Sequence, residues 1–187
     1  MNIFYLHEDP VIAASMHCDQ HLHKMILESA QLLSTWVRAT QTWRSNWDKT
    51  PVYKSSYYNH PCNEVIRQDP NYAMYVYVLA NNLNQIRLSL GCKEHASMEC
   101  LEFISNFIEA EQWALGRNAG DTLVKTPTFC GPAIIKLNNN GYSSVVDKYQ
   151  AYYHLKAKQW ALDNKPRMSY RGRSIPAFLQ GNQYVAS

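Results

Sequence analysis

Residues 17–40 read HCDQHLHKMILESAQLLSTWVRAT, and no other stretch of the chain carries so clear a helical pattern. Its apolar side chains recur at spacings of three and four residues, which places them along one face of an α-helix. They are Leu22, Met25, Ile26, Leu33 and Trp36. The pattern therefore predicts a long helix over 17–40 with one face buried in the protein.

Three further long helices are predicted C-terminal to this one. The Asp-Pro pair at 69–70 places a capping carboxylate before a proline at the first helical position, and residues 71–90 then continue without a helix breaker. Apolar residues at mixed helical spacings predict a helix over 95–116, and a fourth is predicted over 143–162. Together these stretches predict an all-α fold, a single compact helical domain.

The segments outside these helices carry different signals. Residues 2–6 are apolar and aromatic, which predicts a short extended N-terminal arm or strand, and the Asp-Pro pair at 9–10 predicts a helix start directly after it. Residues 41–61 lack a regular period and contain turn residues, so we predict a long ordered loop. Residues 120–141 favour turns, and the tail after Pro166 is irregular and basic.

Composition predicts a folded protein inside the cell. Of the 187 residues, 46% are hydrophobic and 18% charged, a balance that excludes a disordered chain and suits one domain. The sequence shows neither an apolar stretch of about 18 residues for a membrane span nor a signal sequence. The net charge of +3 is too small to indicate polyanion binding by itself. We predict a soluble, cytoplasmic domain over 1–187, with no membrane partner.

Five cysteines occur in the chain without a CxxC pair. They are Cys18, Cys62, Cys92, Cys100 and Cys130. An odd number of cysteines at irregular spacing indicates neither a disulfide framework nor a zinc knuckle. Free thiols in a reducing compartment are the expectation.

Five polar residues line the face of helix 17–40 that lies roughly opposite the apolar face. They are His17, His21, Lys24, Glu28 and Gln31. Two interpretations of this stripe stay open: a solvated surface on which Lys24 and Glu28 form an ion pair worth about 0.3–0.5 kcal/mol, or a working surface for a substrate. A metal site is disfavoured because His17 and His21 lack a convergent third ligand in this segment. We predict neither a metal nor another cofactor.

The run DQHL at 19–22, followed by Glu28, resembles a helix of the T-even phage pyrimidine-dimer DNA glycosylase family, the endonuclease V type. In that family an Asp-Gln-His-Leu run precedes the catalytic glutamate at the same distance. The NHP run at 59–61 and the aromatic, basic tail after residue 166 also look similar to the family. The resemblance covers part of the chain and leaves 93–141 as a possible insertion.

The resemblance implies a phage-like DNA-repair enzyme, a DNA glycosylase with AP lyase activity. In such enzymes the N-terminal α-amine attacks the sugar C1′, the base leaves, and the resulting imine permits β-elimination. Carried over, the nucleophile is the Met1 amine, Glu28 stabilises the cationic sugar, and His21 contacts a phosphate or the sugar. An α-amine has a reference pKa near 7.7–8.0, so a useful fraction is neutral and nucleophilic at cytoplasmic pH.

A binding surface for double-stranded DNA or a nucleotide is the next requirement. Cations cluster near the C-terminus, and the aromatic residues between them suit stacking on an unpaired base. The alternative is that these cations only complement the negative end of a helix dipole. The substrate-binding residues predicted are His17, Lys24, Tyr57, Asn59, His60, Arg167, Tyr170, Arg171 and Arg173.

Two other functions stay open at this point. One is an enzyme that acts on a free, modified nucleotide or nucleoside in a compact pocket lined by Tyr57, Asn59, His60 and Glu28. The other is a phage-type protein that binds nucleic acid or nucleotide without catalysis. The sequence predicts neither the base that is recognised nor the oligomeric state.

Overall fold

The computed structural model describes residues 2–42, 46–114, 127–136 and 141–186. The helices in these ranges are α1 (Pro10–Met16), α2 (Asp19–Thr40), α3 (Pro61–Gln68), α4 (Pro70–Ser89), α5 (Met98–Ala114), α6 (Ala133–Lys136) and α7 (Val145–Leu162). Two 3₁₀ turns (Trp47–Lys49 and Ala177–Leu179) and two short parallel strands, β1 (Met168–Ser169) and β2 (Val185–Ala186), accompany them. The all-α prediction is confirmed.

The four predicted long helices correspond to α2, α4, α5 and α7, with ends displaced by a few residues. The predicted start at position 17 is wrong, because His17 and Cys18 have extended backbones that separate α1 from α2. Helix α3, at the end of the predicted loop 41–61, was not expected. It begins in the same way as α1 and α4, with a proline at its first position.

Side-chain hydrogen bonds cap the first turns of α1, α4 and α7. The Asp9 carboxylate accepts hydrogen bonds from the backbone at the start of α1, and the Asp69 carboxylate does the same for α4. Ser144 and Asp147 form a reciprocal capping box at the start of α7. These contacts are local, so the two Asp-Pro pairs in the sequence were sufficient to locate the starts of α1 and α4.

The predicted apolar face of α2 lies in the core. Leu22, Met25, Ile26, Leu33 and Trp36 are each no more than 2% exposed. Helices α3, α4 and α5 pack against α2, and α1 packs against α4. Helix α5 falls within the possible insertion 93–141, and its buried side chains join the same core.

The N-terminal arm is part of the core as well. Residues 3–6 are at most 4% exposed, and they are neither helical nor paired as a strand within the described part of the chain. The Tyr5 ring packs on Tyr72 and Tyr75 of α4, and the Phe4 ring lies against α7. The arm is therefore held between these two helices.

The C-terminal tail is fastened to the first residue of α2. The Arg173 guanidinium contacts Asp19 Oδ1 at 2.7 Å, the Arg171 Nε lies 3.4 Å from Oδ2, and the Ser169 hydroxyl donates to the same oxygen. Burial raises the pKa of Asp19, but these hydrogen bonds outweigh that effect and hold it below its ordinary value. Asp19 is thus a charged clamp for the tail.

Replacing Asp19 with asparagine is expected to lower the free energy of unfolding by about 2–3 kcal/mol, because Arg173, only 14% exposed, loses its counter-ion. The matched control is Arg167→Ala, a change at an exposed tail cation, which is expected to stay within about 0.5 kcal/mol. Urea denaturation at pH 7 measures both. Equal stability of the Asp19 variant and the parent would contradict the role of Asp19 in holding the tail.

Within the described residues, no helix combines the length and the apolar character that crossing a bilayer requires.

Candidate functional site

Glu28 lies on α2 at the point where the N-terminal arm reaches this helix. Its side chain is 12% exposed. The backbone N–H of Asn2 donates to Glu28 Oε2 at 2.6 Å, and Lys24 Nζ lies 3.4 Å from Oε1. The ion pair expected from the spacing is present, but the carboxylate is largely buried under the arm and does not belong to an open, solvated face.

Asn2 connects Glu28 to a second segment of the chain. Its side-chain amide donates to the carbonyl oxygen of Cys130 at 2.5 Å, and its side-chain oxygen accepts from the Phe4 N–H at 2.9 Å. Phe4 itself has a φ of +49°, a left-handed conformation that disfavours a non-glycine residue by about 1–2 kcal/mol. Backbone strain of this kind persists only where the surroundings impose it. The contacts of Asn2 supply that constraint beside Glu28.

A lysine of α7 and the aromatic rings around it lie near Glu28. Lys156 Nζ lies 5.6 Å from the centroid of the Phe4 ring and 5.4 Å from those of Tyr152 and Trp160, within cation–π range. Burial lowers the pKa of Lys156, which favours the neutral amine more than at an exposed lysine. Burial and the charge of Glu28 both raise the pKa of Tyr152.

His60 also belongs to this neighbourhood. It caps α3, where its Nδ1 accepts a 3.2 Å hydrogen bond from the Cys62 N–H. Burial lowers the pKa of His60, and the charge of Glu28 opposes that effect. Tyr57 and Asn59 stand on the turn before α3 and are exposed, Tyr57 to 71%. Of the three residues predicted from this loop, His60 is the one that is half-buried near Glu28.

Two cysteines that are 68 positions apart in sequence meet next to His60. Cys62 Sγ donates to Cys130 Sγ at 3.4 Å, and this hydrogen bond lowers the pKa of the Cys130 thiol. The ligand atoms of His60, Cys62 and Cys130 all lie within 4.8 Å of one another. Irregular spacing concealed this cluster, since the cysteines look scattered when only the sequence is considered.

His17 and His21 lie in the core, which corrects their assignment to a polar working face. His17 is 0% exposed, and its Nδ1 donates to the Ala13 carbonyl at 2.7 Å. His21 is 2% exposed, stacks on the Phe4 ring, and shares a 2.6 Å hydrogen bond with the Tyr153 hydroxyl. The arm and α7 cover the imidazole, so it is not exposed for the predicted contact with phosphate or sugar.

The tail residues predicted to hold DNA have structural contacts, which is a second correction. Tyr170 is 2% exposed and donates its hydroxyl proton to the Met16 carbonyl, so its ring is not available for base stacking. Arg171 and Arg173 are paired with Asp19. Arg167 is exposed. The Tyr170 ring is therefore closed to stacking, whereas Arg167 and the 69% exposed Arg171 side chain remain at the surface.

The structure thus gathers Glu28, Lys24 and His60 from the predicted set, and it adds Lys156 and Tyr152. Met1, the predicted nucleophile, lies outside the described residues.

Comparisons of this chain with protein-family models, curated proteins and solved structures found no match.

Proposed function

We propose that this protein cleaves the N-glycosidic bond of a damaged or modified base in double-stranded DNA, as a DNA glycosylase with AP lyase activity. One observation carries the proposal: the Asn2 backbone N–H donates to the Glu28 carboxylate at 2.6 Å. The proposal assigns the nucleophile to the α-amine of Met1, the residue that precedes Asn2 in the sequence. An amine paired with a carboxylate is the arrangement that this chemistry requires.

The proposed reaction begins with attack of the neutral α-amine on C1′. The C1′–N bond breaks, the base leaves with the bonding electron pair and takes up a proton, and the amine and C1′ form an imine with opening of the sugar ring. Glu28 stabilises the positive charge that develops on the sugar, and it does so more strongly as the bond breaks. Loss of a proton from C2′ then expels the 3′ phosphate by β-elimination.

Neighbouring side chains supply the binding groups that the substrate needs. Lys24 is 60% exposed beside Glu28 and suits a phosphate. Tyr152 and Trp160 are half-buried on α7 and offer aromatic surface, where stacking on a base is worth about 1–3 kcal/mol. A base in a duplex must be flipped out before it reaches such a site, and stacking offsets part of that cost.

A second candidate is an enzyme that acts on a free, modified nucleotide. The burial of Tyr170 and the pairing of Arg173 with Asp19 favour it, because both reduce the tail surface that was predicted to contact a long duplex. The site around Glu28 is the same for both candidates. They differ in the size of the substrate and in the salt dependence of binding, which is steep only when several phosphates are neutralised.

Incubation with duplex DNA containing an abasic site, followed by borohydride reduction, tests the proposal. We expect one covalent adduct per chain, mapped by peptide mass to the N-terminal amine. A form that carries an acetylated N-terminus is the matched control and should give none. An adduct on Lys156 would assign the nucleophile to that lysine instead. The proposal fails if the folded protein forms no adduct and releases no base from modified duplexes, and release from free nucleotides alone would establish the second candidate.

A further inference from the structure

The cluster of His60, Cys62 and Cys130 offers three metal-binding side chains of two chemical types. An imidazole and two thiols have their ligand atoms within 4.8 Å of one another, and the two sulfur atoms are 3.4 Å apart. We propose that these three residues bind a zinc ion. This site lies outside the glycosylase chemistry and does not depend on it.

The spacing of the two sulfur atoms suits tetrahedral zinc. With Zn–S bonds of about 2.3 Å, two thiolates in a tetrahedral shell stand about 3.8 Å apart, so the observed sulfur atoms need to separate by only a few tenths of an ångström. Thiolate and imidazole together favour zinc over magnesium and calcium, which require oxygen ligands. The ligand set of the cluster is therefore specific for a soft ion.

The backbone around Cys130 is held in place by contacts outside the cluster. Its N–H donates to the Tyr149 hydroxyl at 3.0 Å, and its carbonyl accepts from the Asn2 side chain. The next residue, Gly131, has the Phe129 ring where a β-carbon would stand, so a larger residue there requires that ring to move. Cys62 is fixed by its position in the first turn of α3, where it is 2% exposed. Two of the three ligands are thus preorganised.

His60 is the ligand that has to change its contact. Its Nδ1 now accepts a hydrogen bond from the Cys62 N–H at 3.2 Å. If zinc binds through Nδ1, the metal–nitrogen bond takes the place of this hydrogen bond directly. If a neutral imidazole binds zinc through Nε2, its proton lies on Nδ1, and Nδ1 can then no longer accept the hydrogen bond from Cys62. Zinc binding therefore exchanges one long hydrogen bond for a metal–nitrogen bond.

Asn2 places the zinc site next to the candidate catalytic group. Its backbone N–H binds Glu28, while its side chain binds the Cys130 carbonyl. An ion held by His60, Cys62 and Cys130 would fasten the loop around Cys130 to the start of α3. It would thereby support the arm residue that contacts Glu28.

Zinc content and cobalt titration of the full-length chain test the proposal. We expect one zinc per chain by elemental analysis of protein purified without chelator, and one equivalent of Co²⁺ to produce thiolate-to-cobalt charge-transfer absorption. The variants are Cys130→Ser and His60→Asn, in which asparagine retains a helix-capping side chain. Each is expected to weaken zinc binding by more than about tenfold, since changes even outside the ligand shell cost 10–100-fold.

Cys92→Ser is the matched control, because Cys92 is a half-buried free cysteine outside the cluster. It should bind zinc as tightly as the parent. Circular dichroism confirms that each variant is folded before it is compared. The proposal is overturned if the folded parent binds no zinc, if Cys130→Ser and His60→Asn bind it as the parent does, or if the freshly isolated chain carries a Cys62–Cys130 disulfide in place of the metal.

Discussion

Replacing Glu28 with glutamine is expected to lower turnover by about two to three orders of magnitude while substrate binding changes little. Loss of one preorganised group that stabilises developing charge typically costs about 2.7–4 kcal/mol in the transition state. Glutamine has nearly the same shape as glutamate, and its side-chain oxygen still accepts the hydrogen bond from the Asn2 N–H. The variant therefore removes the charge and leaves the arm in place. Single-turnover kinetics and a separate binding titration measure the two effects.

Glu102→Gln is the matched control for this experiment, because Glu102 is exposed on α5. It changes the net charge of the protein by the same amount and is expected to leave turnover unchanged. A Glu28→Gln variant that turns over at the parent's rate would show that the carboxylate has no part in the chemistry. A variant that loses binding as well as turnover would instead assign Glu28 to holding the substrate.

Lowering the pH from 7.5 to 5 is expected to destabilise the fold by about 2 kcal/mol through His17 alone. Burial lowers the pKa of His17 to about 4, against 6.5 for an ordinary histidine. The unfolded chain therefore takes up a proton below pH 6.5 that the folded chain refuses until about pH 4. The stabilisation is complete above pH 6.5 and is lost progressively as the pH falls toward 4. Burial lowers the pKa of His21 as well, so it adds a loss of the same sign.

Urea denaturation at a series of pH values between 7.5 and 5 measures this effect, in a window above the ordinary carboxyl pKa values. His17→Gln should reduce the slope of unfolding free energy against pH, whatever its stability at pH 7.5. The control is His154→Gln, in which the same substitution is made at an exposed histidine on α7. A parent profile that is flat across this window would contradict the burial of both imidazoles as neutral groups.

The two corrected assignments share one physical origin. A helix face counts as polar when its side chains are polar, but its exposure depends on what else packs there. Phe4 of the arm and Tyr153 of α7 cover His21, and Tyr153 lies 132 positions away from it in sequence. Arg173 likewise meets Asp19 across 154 positions. No local pattern records such partners.

The sequence by itself determined the features that depend on neighbouring residues. The spacing of Leu22, Met25 and Trp36 predicted a long helix with a buried face, and the Asp-Pro pairs predicted two helix starts, because helical periodicity and capping act within a few positions. The same locality placed Lys24 beside Glu28, one turn apart. These predictions are the ones that the structure confirms.

Tertiary structure alone decided which side chains form the candidate site. It buried His17 and His21, paired Arg171 and Arg173 with Asp19, and brought the arm onto Glu28. It also joined Cys62 to Cys130, two thiols that the sequence separates by 68 positions. These outcomes depend on how the arm, α7 and the tail pack against α2, and that packing results from long-range contacts over the whole core. A periodic pattern within one helix specifies which face is apolar, but it does not specify which other segments cover the polar face.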